Sequence, residues 1–69
     1  MNTLIEVTAR SVYGRILLDP ANEQARLLAR IVGTATLSTG TLHLARGMGF
    51  DIRVSGDQRH ALKLQEEFK

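Results

Sequence analysis

The stretch Ala21–Phe50, reading ANEQARLLARIVG and then TATLSTGTLHLARGMGF, decides the fold. In its first half, apolar residues fall at Ala21, Ala25, Leu28 and Val32, with Leu27 and Ile31 widening the stripe. Separations of three and four residues place them along one side of a helix. Asn22 or Asp19 is the expected N-cap, Glu23 adds favourable charge to the first turn, and Gly33 is the expected stop. In the second half, Leu42, Ala45 and Met48 repeat the helical spacing, with Leu44 beside them. Ser38 or Thr39 caps this second helix, Gly49 ends it, and Leu37 fills the corner between the two. Met48 reads as a core filler.

The flanking segments read as strands. Thr3–Arg10 alternates, with Ile5, Val7 and Ala9 facing one way and Leu4, Glu6, Thr8 and Arg10 the other. Val12–Leu18 repeats the pattern, setting Val12, Ile16 and Leu18 against Tyr13, Arg15 and Leu17. A tight connection at Arg10–Ser11 would make a hairpin of the pair, and Gly14 inside the second strand reads as a bulge or a close approach. Asp19–Pro20 ends that strand. Beyond the helices, Phe50–Val54 is a third strand with Phe50, Ile52 and Val54 inward. Ser55–Asp57 then makes a turn, with Asp57 as N-cap, and Gln58–Lys69 carries Ala61, Leu64 and Phe68 at helical spacing. The expected architecture is one α+β domain over residues 1–69. It has a small antiparallel three-stranded sheet, two helices on one face (ββααβ) and a C-terminal helix that docks or projects.

Composition narrows the function. A chain of 69 residues buries only about 60% of its unfolded surface, so a monomer of this size is marginal. There is no cysteine, which removes disulfides and thiolate metal sites as supports. His43 and His60 are the only imidazoles, and no metal or other cofactor is expected. No apolar run approaches the ~20 residues that span a bilayer, and the N-terminus lacks the blocks of a signal peptide. These features fit a cytoplasmic protein with no membrane partner. The net charge is +2, with seven of the nine basic residues arginine and seven acids interspersed, which makes a mixed surface and not a basic stripe.

No arrangement of residues reads as catalytic. Ser38, His43 and Asp51 form a trio that any chain supplies, and the glycines never make a phosphate loop. The hydroxyl run Thr34–Thr41 is explained by turns and capping before any anion site at a helix N-terminus is invoked. Two binding readings remain. In the first, Tyr13 and Arg15 on the second face of the sheet, with Arg26 and Arg30 on a helix flank, bind a protein partner, since Tyr and Arg are enriched at hot spots. A half-apolar second face on a marginal monomer also invites a homodimer, through sheet faces or edges. In the second, the two helices act as a winged helix-turn-helix, and Thr39, Thr41, His43 and Arg46 contact DNA. Such a recognition helix is poor in the Arg, Lys, Asn and Gln that read base edges.

The order Val12-Tyr13-Gly14, Pro20, Ala25, Gly33-Thr34-x-Thr36-Leu37-Ser38 and Gly49-Phe50 resembles a group of small proteins of phages and mobile elements. Their pattern is a Val-Tyr-Gly strand, a Tyr-Pro step, a helix, Gly-Thr-Lys-Thr-Leu-Thr, a second helix and a closing Gly-Phe or Gly-Tyr strand. The match covers residues 12–54. Asp19 replaces the tyrosine before Pro20, and Ala35 replaces the lysine, so any role of that lysine is missing here. The group carries no assigned activity. What the resemblance implies is a setting: a host-cell cytoplasm, and a partner that is a host protein complex blocked by an anti-defence, anti-CRISPR-type inhibitor.

Overall fold

The computed structural model describes residues 3–56 and 58–68, so the Asp57 cap lies outside the described residues. The elements run β1 (Leu4–Val12), β2 (Arg15–Pro20), α1 (Glu23–Val32), α2 (Thr39–Gly47), β3 (Asp51–Gly56) and α3 (Gln58–Glu67). This is the α+β order expected, and one part of the expectation is corrected. The strands lie in the order β2-β1-β3; β1 and β2 are antiparallel, but β3 runs parallel to β1, with Ile5 opposite Ile52 and Val7 opposite Val54. The sheet is mixed, not antiparallel. The reason is that each helix crosses the sheet once. Chain leaving β2 beside the start of β1, where Ala21 N–H bonds to Glu6 O at 2.8 Å, is returned to that same end by α1 and α2. There Asp51 N–H bonds to Thr3 O at 2.8 Å, and β3 must run in the direction of β1.

The hairpin turn also lies three residues later than Arg10–Ser11. Tyr13 and Gly14 form a two-residue loop, with Val12 paired to Arg15 across it. Both have positive φ, 50° and 78°, the mark of a type I′ turn, whose twist matches that of the strands it joins. Gly14 is therefore part of the turn and not a bulge in a strand.

All three helices cover one face of the sheet. Ile5, Val7 and Ala9 of β1, Leu18 of β2 and Ile52 and Val54 of β3 are buried against Ala25 and Ala29 of α1, Leu42 and Ala45 of α2, and Ala61 of α3 with Phe68 just beyond it. α1 seats on β1 and β2, α2 on β3, and α3 docks on β3 and β1. In each helix alanines touch the sheet, which lets the helix backbones sit close to it. Asn22 and Ser38 cap α1 and α2 by accepting from Ala25 N–H and Thr41 N–H, as their sequence positions indicate. Gly33 N–H and Thr34 N–H both bond to Ala29 O and close the end of α1.

The strand edges are closed by side-chain amides. Asn22 accepts from Glu6 N–H and donates to Leu4 O (3.2 and 2.8 Å), so the α1 cap also continues the β1 ladder. Gln65 of α3 accepts from Val54 N–H at 2.7 Å and donates to Ile52 O at 2.8 Å. Each amide engages a carbonyl and the N–H two residues on, as a neighbouring strand would. On the other side, Leu37 pairs with Leu18 of β2, and Pro20 offers no N–H.

Candidate interaction surfaces

Tyr13 is fully exposed at the hairpin tip. Its backbone is in the left-handed region, which glycine or asparagine occupies at lower cost. Arg15 follows it at the start of β2. Because even-numbered residues of β1 face away from the helices, the Val12–Arg15 pair lies on the uncovered side of the sheet. That side is mostly polar. Arg10 Nε and Nη2 donate to the two carboxylate oxygens of Asp19 at 2.7 and 3.2 Å, and Arg53 reaches Glu6 at 3.5 Å. The Arg10 guanidinium, chiefly through these hydrogen bonds, holds the Asp19 carboxyl below its ordinary value.

Arg26 and Arg30 are exposed on the outer side of α1, on the helical side of the sheet. The four residues expected to make one protein-binding surface thus occupy two places, Tyr13 with Arg15 at the hairpin end and Arg26 with Arg30 on α1.

Of the residues of the DNA reading, Thr39, His43 and Arg46 lie beside α3 or the Phe68 that follows it. Thr39 stands in the first turn of α2, beside a cavity of about 440 Å³ lined also by His60, Lys63 and Glu67. The Thr41 hydroxyl is bonded to that of Ser38 at 2.9 Å. His43 lies 4.0 Å from Glu67 and its ring packs on Phe68, 4.7 Å between centroids. Arg46 Nε donates to Phe68 O at 3.3 Å. A recognition helix needs its side chains free to enter a groove, and here His43 and Arg46 meet the acidic end of α3. Two hydroxyls of the Thr-rich loop are spent on structure: Thr34 donates to Thr36 O at 2.6 Å, and Ser38 caps α2.

One surface has no counterpart in the sequence reading. Leu27 and Ile31 of α1, expected in the buried stripe, are 48% and 82% exposed. Leu44, and Met48 just after α2, are 73% and 77% exposed, so Met48 is not a core filler. Between the two helices runs a groove of about 260 Å³, lined by Leu27, Leu28, Ile31, Ala45, Met48 and Phe50 among others. The available signal was that Ala25 and Ala29 alone mark the sheet-facing side of α1, leaving its large residues as a second stripe.

Among the described residues, no three His, Asp or Glu side chains gather to hold a metal ion, and no helix is long and apolar enough to cross a membrane. Fold and surfaces together define a small α+β protein with a mixed three-stranded sheet. No family model, curated protein or solved structure matches this chain.

Proposed function

We propose that this chain is a non-enzymatic binding module whose partner is a protein, engaged by the hairpin tip. The observation that carries the reading is Tyr13. A fully exposed aromatic residue sits where asparagine would form the same turn with less strain, and strain kept at an exposed position is a mark of use. Arg15 next to it adds a planar donor, and the pair has the chemistry of a binding hot spot. That the partner is a host complex, inhibited by a protein of a phage or mobile element, rests on the sequence resemblance alone.

The test is Tyr13→Asn. Relief of the turn raises stability by about 0.5–1 kcal/mol, whereas loss of the ring costs about 2 kcal/mol of binding, roughly 30-fold in affinity. A partner captured from a host lysate by the wild-type protein is then titrated against both forms. Equal affinity for the two would refute the assignment of the tip.

A further inference from the structure

Leu27 and Ile31 on α1 and Met48 just after α2 line the groove together with Leu28 and Phe50, and Leu44, one helical turn before Met48, is exposed as well. Large apolar side chains exposed together make a patch of the kind that marks an interaction site. A specific two-fold interface through it buries on the order of 1,000 Å² in all.

Other routes to a second copy are partly occupied. Gln65 occupies the β3 edge, Leu37 and Pro20 close much of the β2 edge, and the open sheet face carries the Arg10–Asp19 and Glu6–Arg53 pairs. The charges on the flank of Leu27 away from the groove are also self-complementary. Glu23, Leu27 and Arg30 lie along one line of α1, spaced by four and three residues. Neither Glu23 nor Arg30 has an ion-pair partner among the described residues. Each stands about 5 Å along the axis from Leu27, on opposite sides. Two α1 helices packed antiparallel about Leu27 therefore set each Glu23 level with the Arg30 of the other copy, which is the condition for a closed two-fold interface.

We propose that the chain forms a two-fold dimer through the α1–α2 groove, burying Leu27, Ile31, Leu44 and Met48 and pairing Glu23 of each copy with Arg30 of the other. This stands independently of the role of Tyr13, which lies at the hairpin tip and outside the groove.

Sedimentation equilibrium tests it, with circular dichroism confirming that each variant is folded. At about 100 μM, well above a micromolar dissociation constant, the wild-type protein sediments at twice 7.6 kDa. Ile31→Glu and Leu44→Lys, both on exposed side chains, return it to the monomer mass. Glu23→Arg and Arg30→Glu each weaken dimerisation by about tenfold or more through like-charge contact, and the double reversal restores it to within about threefold of wild type. A wild-type monomer at that concentration, or a folded Ile31→Glu protein that remains dimeric, would overturn the proposal. So would charge reversals without effect, or a double variant no better than the singles.

Discussion

Replacing Gln65 by alanine probes how α3 is joined to the sheet. Its amide makes two hydrogen bonds to the free edge of β3, to Val54 N–H and Ile52 O, in a part-buried setting. Each bond contributes about 1 kcal/mol net, so truncation costs about 2 kcal/mol, with water partly solvating the strand groups left behind. A chain of 69 residues has a total stability of about 3–10 kcal/mol, and the loss is a large share of it. With a urea m-value of about 1 kcal/mol/M for a small domain, the unfolding midpoint falls by about 2 M. Gln65→Glu keeps the acceptor for Val54 but sets a carboxylate oxygen against Ile52 O, two acceptors with no proton between them, so at neutral pH it costs at least as much as the alanine variant. Gln65→Asn, one methylene short, behaves as the alanine variant does. Amide hydrogen exchange gives the local readout. The Val54 amide loses protection in Gln65→Ala beyond the global change, while Asp51 N–H, bonded to Thr3 O, follows global stability alone. An unchanged midpoint, or a Val54 amide as protected as in wild type, would refute the edge-closing role.

Gly56 has φ of +100°, and a Cβ there would stand 2.4 Å from Ala9 O and 2.8 Å from Thr8 Cγ2. Gly56→Ala therefore destabilises the fold by about 2–3 kcal/mol, read from the urea midpoint. The folded-state pKa of Asp19 is depressed below its ordinary 3.8. The stabilisation from its pair with Arg10 is thus full above the unfolded value and is lost as pH falls through the folded one. Asp19→Asn removes that part of the decline in stability between about pH 5 and pH 2; an unaltered acid profile would show the pair to be energetically silent. Random duplex DNA is expected to show no salt-sensitive binding tighter than about 0.1 mM, because His43 and Arg46 are engaged by α3. Binding tighter than about 0.1 mM that weakens steeply with salt and disappears in Arg46→Glu would put the helix-turn-helix reading ahead.

Much of the local structure was legible because its causes are local. Asn22 and Ser38 cap the helices their neighbours begin, Gly33 ends the first, and the alternation of Ile5-Val7-Ala9 and Ile52-Val54 names the buried faces. The hairpin was misplaced because Tyr13–Gly14 lacks the Asn-Gly signature, although its two positive φ values make the same turn. Direction in the sheet was missed for a different reason. Alternation tells which face of a strand is buried and nothing about its polarity, which two helical traverses between β2 and β3 decide. The candidate surfaces were half legible. Tyr13 was singled out, but its place at the tip followed from the turn. Helical spacing puts Leu27, Ile31 and Met48 in core stripes because it cannot tell which of two apolar sides meets the sheet.

The sequence by itself determined the class: the order of strands and helices, their caps, and the alternating residues of one core. These depend on periodicity and on residues within one turn of each other. Tertiary structure alone decided that β3 lies parallel to β1, that Gln65 closes the far edge, and that α3 meets His43 and Arg46. It also decided that the large apolar residues of α1 and α2 face outward. Each of these joins residues far apart in the chain, through hydrogen bonds and packing whose geometry exists only once the sheet has formed.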